Sequence, residues 1–108
     1  MTTYLLIGSQ DPFEHSGVQK LYSLAADLAA AGNEVTLMLV ENGVLAARRS
    51  TVSEALQDLS AKGVSVLADS FALRERGIEQ ARLQSGVQPA PIDHVIEHLE
   101  AGAVAFWN

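Results

Sequence analysis

Residues 34–40 read Glu-Val-Thr-Leu-Met-Leu-Val and form the apolar run that decides the fold. Its length and its branched side chains are typical of a strand buried on both faces of a parallel sheet. Gly32-Asn33 precedes the run and supplies the left-handed stop of a helix. A helix that ends directly before a buried strand indicates a βαβ unit.

Three more short apolar runs repeat this pattern in both directions: Thr3–Ile7, Val64–Ala68 and Val104–Trp107. Segments with helical periodicity alternate with the runs, at about Gly17–Ala31, Val52–Lys62, Ser70–Arg76 and Pro91–Ala101. The alternation predicts a single flavodoxin-like three-layer α/β/α domain over residues 1–108, with a mainly parallel sheet of four to five strands. The fifth strand, near Gly86–Gln88, is an alternative to a loop there.

Composition excludes several functional classes. The chain has 108 residues, a net charge of −6 and seven basic residues, of which Arg48 and Arg49 are the one adjacent pair. Neither nucleic acid nor an anionic membrane is therefore an expected partner. No apolar run approaches the ~18 residues of a membrane span, and no signal peptide is evident, so we expect a cytoplasmic protein. The absence of cysteine excludes disulfides, thiolate metal sites and persulfides.

The last predicted helix contains His94-Val95-Ile96-Glu97-His98, which matches the metal-binding pattern H-x-x-E-H. Two histidines four residues apart can share a metal ion. The apolar positions of this helix are Ile92, Val95, Ile96 and Leu99, and we expect them to face the sheet. Helical geometry then places both histidines on the solvated face, so we expect no metal site.

Ligands of open parallel sheets bind beyond the carboxyl ends of the strands. The loops that follow the first three strands there contain the candidate pocket residues Ser9, Gln10, His15, Asn42, Gly43, Arg48, Asp69 and Ser70. The first of these loops matches neither the dinucleotide-binding nor the P-loop pattern, so we expect no cofactor. Asp69 has two interpretations, as the N-cap of the third helix and as a functional carboxylate.

Four stretches together resemble one family. They are Ala31-Gly32-Asn33-Glu34-Val35, Glu41-Asn42-Gly43-Val44, Leu73-Arg74-Glu75-Arg76-Gly77-Ile78 and Val104-Ala105-Phe106-Trp107. Their order and spacing are similar to those of the DsrE/DsrF-like proteins, which include the TusD and TusB types of the sulfur relay. In cysteine-bearing members a persulfide-forming cysteine precedes the Arg-Gly stretch, and the resemblance places that position at Asp69.

The resemblance implies a non-catalytic subunit in sulfur relay or sulfur metabolism, because a carboxylate cannot accept a sulfane sulfur as a thiolate does. It also implies a homo-oligomer (a dimer, trimer or hexamer) or a complex with cysteine-bearing paralogues of the family. Two alternatives remain at this point. One is a small-ligand binding protein that uses the candidate pocket. The other is an enzyme in which Asp69 acts as acid or base, with His15 or Arg48 beside it.

Trp107 stands near the end of the last predicted strand. A large aromatic side chain at such a place projects past the helices that cover the sheet. Exposed apolar groups of this kind mark interfaces, and tryptophan is enriched among the residues that anchor them. We therefore expect Trp107 at or near a subunit contact, against the alternative that it folds back on its own domain.

Overall fold

A computed structural model describes residues 2–11, 13, 17–49 and 55–107. Five parallel strands form one sheet in the order β4-β3-β2-β1-β5: β1 (Thr3–Gly8), β2 (Glu34–Leu39), β3 (Ser65–Asp69), β4 (Val87–Ala90) and β5 (Val104–Trp107). The helices of this part of the chain are α1 (Gly17–Ala30), α2 (Ala55–Ala61), α3 (Ser70–Glu75) and α4 (Asp93–Glu100). A first 3₁₀ helix (Glu41–Ala47) follows β2, and a second (Gln80–Arg82) precedes β4.

The predicted three-layer α/β fold is confirmed, and its sheet has five of the predicted four to five strands. β4 is the edge strand that the sequence left open, and it tolerates Pro89 because an edge strand need not donate on its outer side. The strand order differs from the 2-1-3-4-5 order of flavodoxin itself. The predicted start of α2 at Val52 lies outside the described residues. The first 3₁₀ helix occupies a stretch that the sequence analysis treats as a loop.

Chain direction distributes the helices unequally over the two faces of the sheet. The connections from β1 to β4 all step in one direction, so right-handed crossovers put α1, α2 and α3 on one face. That first face holds the larger core cluster, around Leu6, Leu37 and Val66. The connection from β4 to β5 runs back across the sheet, which places α4 on the second face. A smaller cluster of Leu5, Ile7, Met38, Val40 and Ala90 lies there.

α4 is oriented differently from the prediction. Of its four apolar positions only Val95 packs against the core; Ile92, Ile96 and Leu99 are 46%, 55% and 49% exposed. His94 and His98 are half-buried instead. The prediction that the two histidines lie on the solvated face is therefore wrong.

The reason lies in the second face, which carries the buried hydroxyl group of Thr36. The Oγ1 atom of Thr36 lies 3.3 Å from Nε2 of His98. The Nδ1 atom of His98 lies 2.7 Å from the carbonyl oxygen of His94. Because a carbonyl only accepts, Nδ1 carries a proton, and the tautomer protonated at Nδ1 alone accepts at Nε2 from Thr36. Turning His98 inward rotates the apolar stripe away from the sheet by roughly a quarter of a turn, at 100° per residue.

β5 is uncovered on both of its faces. All four of its residues are exposed, Trp107 to 67%. Phe106 lies on the first face, where its ring stacks on Tyr4 with centroids 6.2 Å apart. Trp107 pairs in register with Ile7 and so lies on the second face, as α4 does. In the single chain Trp107 does not fold back onto its own domain, and its place at a subunit contact stays a prediction.

We predict that His98→Ala lowers the free energy of unfolding by about 1–3 kcal/mol, because the buried Thr36 hydroxyl loses its partner. Glu97→Ala, on the exposed side of the same helix, changes it by about 0.5 kcal/mol at most. Urea unfolding measures both values. In the His98→Ala background, Thr36→Val restores part of the loss. Equal stabilities for His98→Ala and Glu97→Ala contradict the contact.

Candidate functional site

Backbone contact joins the ends of β1 and β2. The amide of Val40 donates to the carbonyl of Gly8 at 2.9 Å, and the amide of Gly43 donates to the carbonyl of Val40 at 2.8 Å. A side chain at Gly43 would collide with the Gly8 carbonyl group. Glycine at position 43 therefore allows the two loops to touch, and it brings Gly43 within contact distance of Ser9.

The turn after β2 is strained, and a residue at the end of α3 holds it in place. Glu41 has a φ of 49°, and a non-glycine residue in this left-handed region costs about 1–2 kcal/mol. The next residue, Asn42, accepts hydrogen bonds from Nε and Nη2 of Arg76 at 3.2 and 2.9 Å. Arg76 directly follows α3, so this pair ties the ends of β2 and α3 together. Strain that is retained in this way is common at functional sites.

Asp69 ends β3 and caps α3. Its side chain accepts from the amide of Phe71 at 3.3 Å, and Asp69 is only 9% exposed. The N-cap interpretation of Asp69 is confirmed. Ser70 is the first residue of α3 and is half-buried. The position at which the family resemblance places a cysteine thus carries a carboxylate that caps a helix.

The predicted pocket residues divide between two places. Ser9, Asn42, Gly43, Asp69 and Ser70 lie at the carboxyl ends of β1, β2 and β3, and half-buried Gln10 follows Ser9. Arg48 instead lines a cavity of about 580 Å³ on the first face, which contains none of the other candidates. His15 lies outside the described residues.

Apart from Arg48, the residues that line this cavity were not among the predicted candidates. Its walls comprise Phe13, Gln19, Tyr22, Leu45, Ala46, Arg48, Arg49, Ala55, Leu56, Arg82 and Gln84. Burial raises the pKa of Tyr22 to about 12, and the nearby carboxylate of Asp11 contributes to a smaller extent. One sequence signal could have indicated this place, the adjacent pair Arg48–Arg49 in a chain with few basic residues. Arg82 joins them only through the fold.

Among the described residues, no group of three or more histidine, cysteine or acidic side chains is arranged to hold a metal ion. None of their helices is long and apolar enough to span a membrane.

The parallel sheet, the joined loops after β1 and β2, and the capped helix after β3 define a class of small α/β domain. The family model described as "DsrE/DsrF-like family" matches residues 3–106. The chain therefore belongs to the DsrE/DsrF-like family, as the resemblance in sequence predicts. No curated protein matches it significantly.

Solved structures show the same fold. The ychN protein from E. coli has a TM-score of 0.90 and 18% sequence identity, with 100% of both chains covered. A protein of unknown function from Methanobacterium thermoautotrophicum, MTH1491, has a TM-score of 0.83 and 24% identity over 99% of this chain and 98% of its own. BT1422 from Bacteroides thetaiotaomicron has a TM-score of 0.82 and 14% identity, covering 98% and 94%. At these identities the likeness concerns the fold alone.

We predict that Asp69→Ala lowers the free energy of unfolding by about 1 kcal/mol, because the amide of Phe71 loses its acceptor. Asp69→Asn retains an acceptor at the same place and costs much less. Chemical denaturation of both variants tests this, with Arg74→Ala as an exposed control on the same helix. Equal losses for the Ala and Asn variants would mean that the charge of Asp69, rather than its capping bond, stabilises the fold.

Proposed function

We propose that this protein is a non-catalytic DsrE-like subunit of a cytoplasmic sulfur-relay or sulfur-metabolism complex. It assembles with copies of itself or with cysteine-bearing members of its family. The observation that carries this proposal is the apolar surface that the single chain leaves exposed on the second face of the sheet. We call this the α4–β5 surface; it consists of Ile92, Ile96, Leu99 and Trp107.

The α4–β5 surface has the properties of a subunit contact. Its four side chains are between 46% and 67% exposed, and three of them form the apolar stripe that α4 turns away from its own sheet. Large apolar side chains that stay exposed on one face of a domain often mark a site of association. Tryptophan at such a place is a favoured anchor.

The uncovered edge strand supports assembly through the same side of the molecule. β5 pairs only with β1 in the described chain, and helices cover neither of its faces. An open edge with apolar side chains is a site at which another chain can pack or pair. A second copy of this chain provides the same surface, and self-association is therefore the first form of the proposal.

The chemistry of position 69 supports a non-catalytic role. Transfer of a sulfane sulfur requires a thiolate that forms an S–S bond, and the chain contains no cysteine. Asp69 caps a helix with its carboxylate. A role for Asp69 as acid or base is the less favoured alternative, because its carboxylate is already engaged with the backbone.

We predict that the purified chain takes up no sulfane sulfur from a persulfide donor. Intact-mass spectrometry should show the unmodified mass under non-reducing conditions. Asp69→Cys is the matched control, because it restores a thiol at the family position and should gain the mass of one sulfur atom. Ser23→Cys, on the exposed side of α1, reports uptake by any accessible thiol. A covalent sulfur adduct on the wild-type chain contradicts the non-carrier role.

We predict a homo-oligomer at micromolar concentration in sedimentation velocity. Ile96→Asp and Trp107→Ala should each weaken association by about tenfold or more, because they remove apolar area from the contact. Phe71→Ala is the matched control, since Phe71 is 59% exposed but lies on α3. A wild-type monomer at all accessible concentrations rejects self-association. Co-sedimentation with a cysteine-bearing family member then tests the remaining form of the proposal.

A further inference from the structure

The cavity beside Arg48 is large enough for a small molecule. Its volume of about 580 Å³ lies within the ~300–1,000 Å³ that is typical of ligand pockets. Residues of α1, the first 3₁₀ helix, α2 and the segment that leads into β4 line this open cavity. The cavity therefore lies apart from the candidate residues around Asp69 at the carboxyl ends of the strands, and also from the α4–β5 surface.

Positive charge is concentrated in this cavity. Arg48, Arg49 and Arg82 all line it, although the chain has only seven basic residues and a net charge of −6. Within the described part of the chain, none of the three forms an ion pair with a carboxylate. Three like charges in one place repel one another, and a bound anion relieves that repulsion.

Two of the arginines are held in place and still have donors to offer. Nε of Arg48 donates to the carbonyl of Leu45 at 3.2 Å. A terminal nitrogen of Arg49 donates to the carbonyl of Ala81 at 2.6 Å. A guanidinium group has five N–H donors, so each of these bonds orients the group while leaving other donors for a ligand. Such preorganisation lowers the entropic cost of binding.

A buried glutamine makes the wall of the cavity rigid. Gln84 is 5% exposed, and its amide nitrogen donates to the carbonyl of Ala46 at 2.6 Å. Its side-chain oxygen accepts from the amide of Gln57 at 3.3 Å. The first 3₁₀ helix, α2 and the segment before β4 are therefore joined through one side chain, which fixes the arginines relative to α2.

A second, independent feature points to a ligand. Tyr22 lines the cavity and is only 6% exposed, and its hydroxyl has no hydrogen-bond partner among the described residues. With a pKa raised to about 12, the hydroxyl keeps its proton at neutral pH and can donate it in a hydrogen bond. An unpaired buried donor costs free energy, which an acceptor in the cavity recovers. The carboxylate of Asp11 opposes an anion near Tyr22, but the three arginines outnumber it.

We propose that this cavity is a binding site for a small organic oxyanion. The arginines and the Tyr22 hydroxyl hold the carboxylate or phosphate head of the ligand by charge-assisted hydrogen bonds. Leu45, Leu56 and the ring of Tyr22 contact an apolar body of several carbon atoms. The site is independent of the subunit role proposed above, because it shares no residue with the α4–β5 surface.

The first experiment titrates the protein calorimetrically with four probes: phenyl phosphate, benzoate, inorganic phosphate and benzyl alcohol. The two organic anions should bind, and whichever binds more tightly identifies the preferred head group. Inorganic phosphate should bind at least about tenfold more weakly than phenyl phosphate because it lacks the apolar body. Benzyl alcohol should not bind. Absence of binding by both organic anions, or equal binding of benzyl alcohol, overturns the proposal.

Variants then locate the site. Arg48→Gln and Arg82→Gln should each weaken binding of the better organic anion by about tenfold or more, since each removes a charge-assisted hydrogen bond. Arg74→Gln, an exposed arginine of α3 outside the cavity, is the matched control and should leave binding unchanged. Binding that is insensitive to both cavity variants, or equally weakened in all three, overturns the assignment.

The Tyr22→Phe variant distinguishes a ligand-binding role of the hydroxyl from a structural one. It keeps the ring and removes only the hydroxyl, so it should weaken binding several-fold. The melting temperature of the free protein should stay the same or rise, because an unpaired buried hydroxyl is lost. A lower melting temperature of the free variant means that the hydroxyl has a partner within the protein, and this result overturns its assignment to the ligand.

Discussion

The connection from β4 back to β5 determines how the second face of the sheet is covered. It is the single connection of the described sheet that reverses direction, so it alone brings a helix to the second face. That helix, α4, has 8 residues and packs on the second face of a five-stranded sheet. It faces the sheet with Val95 and His98, so its apolar stripe points away. The exposed α4–β5 surface therefore follows from the chain topology together with the contact between Thr36 and His98.

Sequence periodicity predicted the layers of this fold but failed at the orientation of α4. The apolar run 34–40 and the glycine stops located strands and helices, since these signals are local. An apolar stripe, however, shows only that some surface will cover it. The hydroxyl group of Thr36 on the second face pairs with His98, so this side of α4 faces the sheet. Recognising this contact requires the pairing of residues that lie 62 positions apart.

The candidate site was predictable to the same limited extent. The capping role of Asp69 follows from its position between a strand and a helix, and the structure shows it. The strained Glu41 and the bonds between Asn42 and Arg76 depend on how the ends of β2 and α3 meet. The cavity was harder to predict. Arg82 lies near Arg48 and Arg49 because an isolated β-bridge joins Arg48 to Leu83. Such long-range pairing leaves no periodic trace in a single sequence.

An aspartate at position 69, where the resemblance in sequence places a cysteine of other family members, suits the local backbone. A residue between a buried strand and a helix must satisfy free backbone amides. A thiol is a weak acceptor, whereas the carboxylate of Asp69 accepts from Phe71 and favours the positive end of the helix. The carboxylate of Asp69 therefore stabilises the start of α3 where a thiol would do so only weakly.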